Sequence, residues 1–340
     1  MKSLCSMAFI INIDIPKPDR LIEHQHKILS IGSCFTEHIG NALSEYKFQV
    51  LQNPHGILFD PLAVCKSLIS YIDNKVYTKN DLFYLNELWH SWDHHSRFSH
   101  TDPEKALALM NASQAEAHQF LKDADWLIIT LGSAFSYKLT EEAKPSYLSG
   151  NSVANCHRAP AQWFKKHLTP IEEIIARLDN TIHQLFRFNP KLQIIFTISP
   201  VRHIRDGVIN NNRSKARLLE SVHHLVNKFD KLYYFPSYEL VIDVLRDYRF
   251  YDVDMVHPNY QATDFVLQKF QQTFMNDDTN SLIQDLKQLV IARKHRPAHP
   301  NTDAHRKFLK AHLDKVKALR VQRPYLDLSD ELTYFSKEVE

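Results

Sequence analysis

Three short runs constrain this chain most: Lys27 to Ile31 (KILSI), Trp126 to Leu131 (WLIITL) and Gln193 to Ile198 (QIIFTI). Each is mainly apolar, lacks a polar face, and stops at a turn former: Gly32, Gly132 and Ser199-Pro200. Runs of this length without alternation read as strands buried on both faces. Phe48 to Leu51 and Leu232 to Phe235 read as further strands. Between them lie stretches expected to be helical: Thr36 to about Tyr46, Pro61 to Tyr71, Thr101 to about Leu121, Pro170 to Phe186, Asn212 to Phe229, Tyr238 to Leu245 and Asp264 to Phe274. Strands alternating with helices imply an α/β fold, a mostly parallel sheet covered on both faces. Chemistry in such sheets sits at the carboxyl ends of the strands.

Two segments interrupt the alternation. Residues 75–100 are rich in aromatics and histidines and read as an inserted hairpin or long loop, and 136–167 read as a long irregular region with several prolines. After about Asn276 the pattern turns to charged amphipathic segments, Leu282 to Arg293 and Asp303 to Val321, separated by the turn Arg296 to Pro300. The expected organisation is one α/β domain over 1–276, with insertions near 75–100 and 136–167. A helical C-terminal extension over 277–340 would pack on its outside.

Forty-one basic and 39 acidic residues give a formal charge of +2, so no field of one sign points to nucleic acid or an anionic membrane. Cys5, Cys34, Cys65 and Cys156 show no CxxC spacing, which suits a reducing compartment better than a disulfide framework. The apolar run Met7 to Ile13 is too short for a signal peptide, and no stretch approaches a membrane span. A cytoplasmic location without membrane or nucleic-acid partners is the expectation.

Ile31-Gly32-Ser33-Cys34-Phe35-Thr36 places a nucleophile directly after a strand and at the start of a helix. N–H groups at a helix start can stabilise an oxyanion, and the helix dipole is expected to lower a thiol pKa. The plain alternative is a small buried cysteine. Asp254-Met255-Val256-His257-Pro258-Asn259 offers a general base, His257, with an orienting carboxylate three residues upstream. Its plain alternative is a surface loop, with Asp254 and Asn259 as turn and cap residues. His90 and His94 have a metal-ligand spacing if helical, but HExxH and a second cluster are missing. No metal and no cofactor is expected, and the segment Trp89 to His100 reads better as a polar lid in which Arg97 holds substrate. Arg202 and His203 follow a strand's carboxyl end and face either the same cleft or a salt-bridged loop.

Strand-Gly-Ser-Cys near the amino terminus, with Asp-x-x-His before the domain's last helix, resembles the layout of the SGNH or GDSL hydrolases. A closer resemblance is to the GSCFA family, carried by Gly32-Ser33-Cys34-Phe35 with a departure at Thr36. Asn53-Pro54-His55-Gly56, Trp89 to Phe98, Asn155-Cys156-His157, Ser199 to His203 and Asp254 to Pro258 carry it further, over roughly residues 25 to 275. The resemblance implies a three-layer α/β/α sandwich of the SGNH-hydrolase or flavodoxin-like kind. It also implies an esterase or acyltransferase using Cys34, His257 and Asp254, with Ser33 as the fallback nucleophile. The substrate would be an O-acyl ester or thioester of a small molecule or carbohydrate.

Ala134 stands where the SGNH hydrolases carry an oxyanion-hole Asn, so other donors are needed. The Gly56 and Cys34 N–H groups are the expected amides, with Gly132, Asn155, His157, Arg202, His95 and Arg97 as further oxyanion or substrate-binding groups. The competing reading is a non-catalytic binding protein on a degenerate hydrolase fold.

Overall fold

The structure is a computed structural model, and it describes residues 11–336. Cys5 and most of the apolar run from Met7 lie outside the described residues. In chain order the elements are β1 (Lys27–Gly32), α1 (Cys34–Glu45), β2 (Gln49–Gln52), α2 (Pro61–Asp73), β3 (Phe83–Leu85), β4 (Leu88–His90), α3 (Pro103–Asp123), β5 (Trp126–Leu131), β6 (Phe135–Leu139), β7 (Ser152–Val153) and β8 (Phe164–Leu168). There follow α4 (Ile171–Phe188), β9 (Gln193–Ile198), α5 (Val208–Val226), β10 (Leu232–Phe235), α6 (Ser237–Glu239), α7 (Tyr260–Phe274), α8 (Asp277–Lys294), α9 (Asp303–Gln322) and α10 (Ser329–Ser336).

The central sheet is parallel throughout, in the order β10-β9-β5-β1-β2. Strand period two sends alternate residues to opposite faces. Ile28, Trp126, Ile128, Ile195 and Phe235 join one core with α1 and α7. Leu29, Ile31, Leu127, Ile129, Phe196 and Ile198 join the other with α2, α4 and α5. This is a three-layer α/β/α arrangement. The chain leaves β1 for β2 on one side and returns to β5 on the other, so the crevice where the direction switches opens at the carboxyl end of β1.

One feature departs from the sequence reading. Residues 136–167 are not irregular: β6 pairs antiparallel with both β7 and β8. β7 is only two residues long and the three strands are separated by long turns, so no period shows in the sequence. Residues 75–100 do contain a hairpin, β3–β4. The expected C-terminal helices are present as α8, α9 and α10, and Leu282, Leu286, Leu313, Val316 and Phe335 share one core with Phe35 and Ile39 of α1. Among the described residues no helix is long and apolar enough to cross a membrane.

Candidate active site

The turn from β1 into α1 can be made only by glycine. Gly32 has φ +146°, and a Cβ there would lie 2.1 Å from the Thr130 carbonyl oxygen on β5. Asn53 fastens the turn, accepting from the Gly32 N–H at 2.8 Å. Ser33 then occupies the N-cap of α1 and is 3% exposed. Cys34 is the first helical residue, partly exposed, and lines a cavity of about 610 Å³.

Asp254, Val256, His257, Val201, Arg202 and His203 line that same cavity. The two oxygens of Asp254 divide the work. Oδ1 accepts the N–H groups of Val256 (2.8 Å) and His257 (3.0 Å), which shapes the loop, and Oδ2 lies 2.6 Å from His257 Nδ1. Both plain functions of a turn carboxylate and an imidazole orienter therefore coexist in one side chain. The hydrogen bonds from His257 and from the loop amides hold the Asp254 carboxyl down to about 2. With Nδ1 engaged, Nε2 is the imidazole nitrogen left for the cavity. No hydrogen bond joins Cys34 to His257; the two groups share the cavity wall.

The thiol does not behave as a helix start alone would dictate. Burial pushes the Cys34 thiol up and the Glu37 carboxylate adds to the rise, while the N–H groups of Phe35 and Cys34 and the cation of Lys215 work against it. Desolvation outweighs the dipole here, which corrects the expectation of a lowered thiol pKa.

The other expected donors are engaged elsewhere. The Gly56 N–H donates to Asn53 O at 2.7 Å and the Gly132 N–H to Phe59 O at 2.7 Å, so neither amide is free for an oxyanion. Gly56 is glycine for another reason: its φ is +86° and a Cβ would fall 2.1 Å from His95 Cβ. Asn155 Oδ1 accepts the His157 N–H at 2.8 Å, and His157, 7% exposed, holds the Ser91 carbonyl oxygen at 2.8 Å through Nε2. His157 packs against His90, Phe83 and Trp92, away from the cavity wall. Burial pushes His157 down to about 4, so it is a neutral packing residue near pH 7. The His95 ring caps a short turn by accepting the Arg97 N–H at 3.3 Å, and Arg97 donates to the Asn53 carbonyl and lies 4.0 Å from Glu37. Of Gly56, Gly132, Asn155, His157, Arg202, His95 and Arg97, Arg202 alone lines the cavity. The segment Trp89 to His100 is a strand and turns rather than a helix, so His90 and His94 share no helix face. Among the described residues no group of three or more His, Cys, Asp or Glu is disposed to hold a metal ion.

Ala134 is fully buried in the core, its N–H donating to Ser214 Oγ at 2.7 Å. Ala134 is thus a packing position. The cavity instead has apolar walls, Phe59, Phe135, Tyr137, Val201, Ile204 and Val256, with Lys166, Arg205 and Asp206 among its polar lining. Burial pushes His203 down to about 4. Arg202 is held by its N–H to Val256 O at 3.2 Å and by its guanidinium 4.6 Å from the Tyr251 ring centroid.

Sequence reasoning missed one polar stripe. On α5, Asn211, Ser214 and Lys215 are buried along with Leu218. Asn211 Oδ1 accepts the His203 N–H at 2.9 Å, and Lys215 Nζ donates to Gly132 O and Ser199 O, both at 2.6 Å. Extending the apolar stripe Leu218, Val222, Leu225 backward at helical spacing lands on these residues, so the signal was present.

Residues 27–270 match the GSCFA family and residues 286–340 match the GSCFA domain protein, C-terminal domain. No curated protein matches the chain. A solved structure described as that of a proposed platelet activating factor from Streptococcus pneumonia is 12% identical. That alignment covers 72% of this chain and 84% of the other at a TM-score of 0.37, too low to bear on fold or activity. With its first block, its Asp-x-x-His loop and the match over most of its length in agreement, the chain belongs to the GSCFA family.

Proposed function

We propose that this chain is an SGNH-like esterase or acyltransferase in which Cys34 attacks an O-acyl ester or thioester. The observation that carries the reading is the position of Cys34, at the first turn of α1, on the same cavity as a His257 imidazole bound by Asp254 at 2.6 Å. His257 Nε2 takes the thiol proton, the sulfur bonds to the acyl carbon, and the alkoxide or thiolate of the substrate leaves with that proton. Water or an acceptor hydroxyl then releases the acyl group. The oxyanion falls to the amides of Cys34 and Phe35, the two main-chain donors that already favour the thiolate. The apolar cavity walls suit an acyl chain, and a small-molecule or carbohydrate ester remains the proposed substrate class. Cys34 is preferred to Ser33, which is 3% exposed and does not line the cavity.

A second reading, a non-catalytic binding protein, is favoured by the raised Cys34 thiol and by the engaged amides of Gly56 and Gly132. Incubation with an activated acyl ester, followed by intact-mass measurement, separates the two. The enzyme reading expects a single acyl adduct in the wild type and in Ser33→Ala, and none in Cys34→Ala. An adduct that survives Cys34→Ala and vanishes in Ser33→Ala would move the nucleophile to Ser33. No adduct in any variant would favour the binding protein.

A further inference from the structure

A lysine in the interior normally needs a carboxylate, because an isolated cation is costly to remove from water. Lys215 has none: it is 1% exposed, and its two hydrogen-bond partners are the backbone carbonyls of Gly132 and Ser199. These carbonyls terminate β5 and β9 at the sheet edge that carries the cavity. Gly132 also abuts the β1–α1 turn, since a Cβ there would lie 3.4 Å from Ser33 Cβ. The Tyr238 ring of α6 has its centroid 5.8 Å from Nζ, and His203 feels the lysine as a repelling charge. On α1, Glu37 acts on Cys34 but not on Lys215; the ionisable group whose charge favours the cation of Lys215 is Cys34 itself.

We propose that Lys215 is the buried counter-charge of the Cys34 thiolate, a positioning residue that acts on the sulfur through the dry protein interior rather than by contact. Two carbonyls fix the ammonium where it cannot follow solvent or swing away. A neutral amine also fits this seat, with two N–H groups for the two carbonyls. Burial lowers Lys215 to about 7, and the charge of Cys34 works against that fall. The inference rests on the proposed function only in taking Cys34 as the nucleophile.

The test is the pH profile of Cys34 alkylation by iodoacetamide, read by peptide mapping, in the wild type and in Lys215→Met with its fold checked by circular dichroism. The midpoint should move up by about one pH unit or more in Lys215→Met, slowing alkylation near neutral pH roughly tenfold. An unmoved midpoint in folded Lys215→Met would overturn the inference. Should that variant not fold, the reciprocal measurement decides: NMR titration of the Lys215 side chain in wild type and Cys34→Ala. Its midpoint should fall when Cys34 is removed, and an unchanged midpoint would overturn the inference. A moved alkylation midpoint without any acyl adduct would sustain Lys215 as counter-charge while removing the hydrolase reading. An acyl adduct with an unmoved midpoint would do the reverse.

Discussion

The main-chain N–H of Arg202 donates to the carbonyl of Val256 at 3.2 Å, joining the loop that follows β9 to the loop that carries His257. That bond fixes where His257 can stand. Its loop is otherwise well exposed, with Val253 98% and Met255 49% accessible, and packs little of its own surface. The position of the imidazole is therefore set by polar contacts: Asp254 and the Asp252 N–H, which donates to His257 O at 2.8 Å, from within the loop, and Arg202 from the loop after β9.

Asp254→Asn should leave the fold intact and slow acyl transfer to Cys34 by roughly 10²-fold or more, since the imidazole loses its orienting anion. The wild-type carboxyl sits at about 2, below its ordinary value of 3.8. Its charge is therefore present above the ordinary value and lost only as pH falls toward 2. The acid limb of a rate profile measured above pH 4 should then not come from Asp254. Unchanged acylation kinetics in Asp254→Asn would remove it from the site.

Asp60 gives a stability prediction of opposite sign. It is fully buried at the N-cap of α2, accepts from the N–H groups of Leu62 and Ala63 and from the Ser136 hydroxyl, and burial raises it to about 6. The folded state thus holds a proton that the unfolded chain gives up near 4, so the associated stability is present at low pH and lost as pH rises toward 6. Asp60→Asn keeps the cap acceptor and cannot ionise. The melting temperature of Asp60→Asn relative to wild type should rise between pH 4 and pH 7. The buried histidines titrate equally in both proteins and cancel. A difference independent of pH would contradict the raised carboxyl.

The C-terminal helices should matter to α1. Leu286 is 1% exposed and shares a core with Phe35 and Ile39. Leu286→Ala should cost about 2–5 kcal/mol in denaturant melts. A loss below about 0.5 kcal/mol would mean that α8 contributes little to this core.

Legibility followed burial. The bounds of β5, β9 and β10 agree with the apolar runs: β5 and β9 are buried along their whole length, and β10 at both ends. β6, β7 and β8 escaped notice because their pairing is non-local and Lys165, Lys166 and His167 fill the outer strand. α5 starts earlier than its apolar stripe, behind Gly207 at φ +78°, because Asn210, Asn211 and Asn212 hid its first turn. Cys34, Asp254 and His257 were readable because strand-end turns and local Asp-x-x-His spacing are properties of the chain itself. The engaged amides of Gly56 and Gly132 were not, because their partners Asn53 and Phe59 are placed by the folded loops. Lys215 was passed over because lysine in an amphipathic helix ordinarily faces water.

The proposed chemistry requires that Cys34 be acylated with help from His257. The most direct measurement is the rate at which an activated ester acylates the peptide containing Cys34, in the wild type and in His257→Gln. Acylation should map to Cys34 and fall by roughly 10²-fold or more in His257→Gln, with Cys34 still open to alkylation. Acylation at an equal rate in both proteins, or at any residue other than Cys34, would contradict the proposed site.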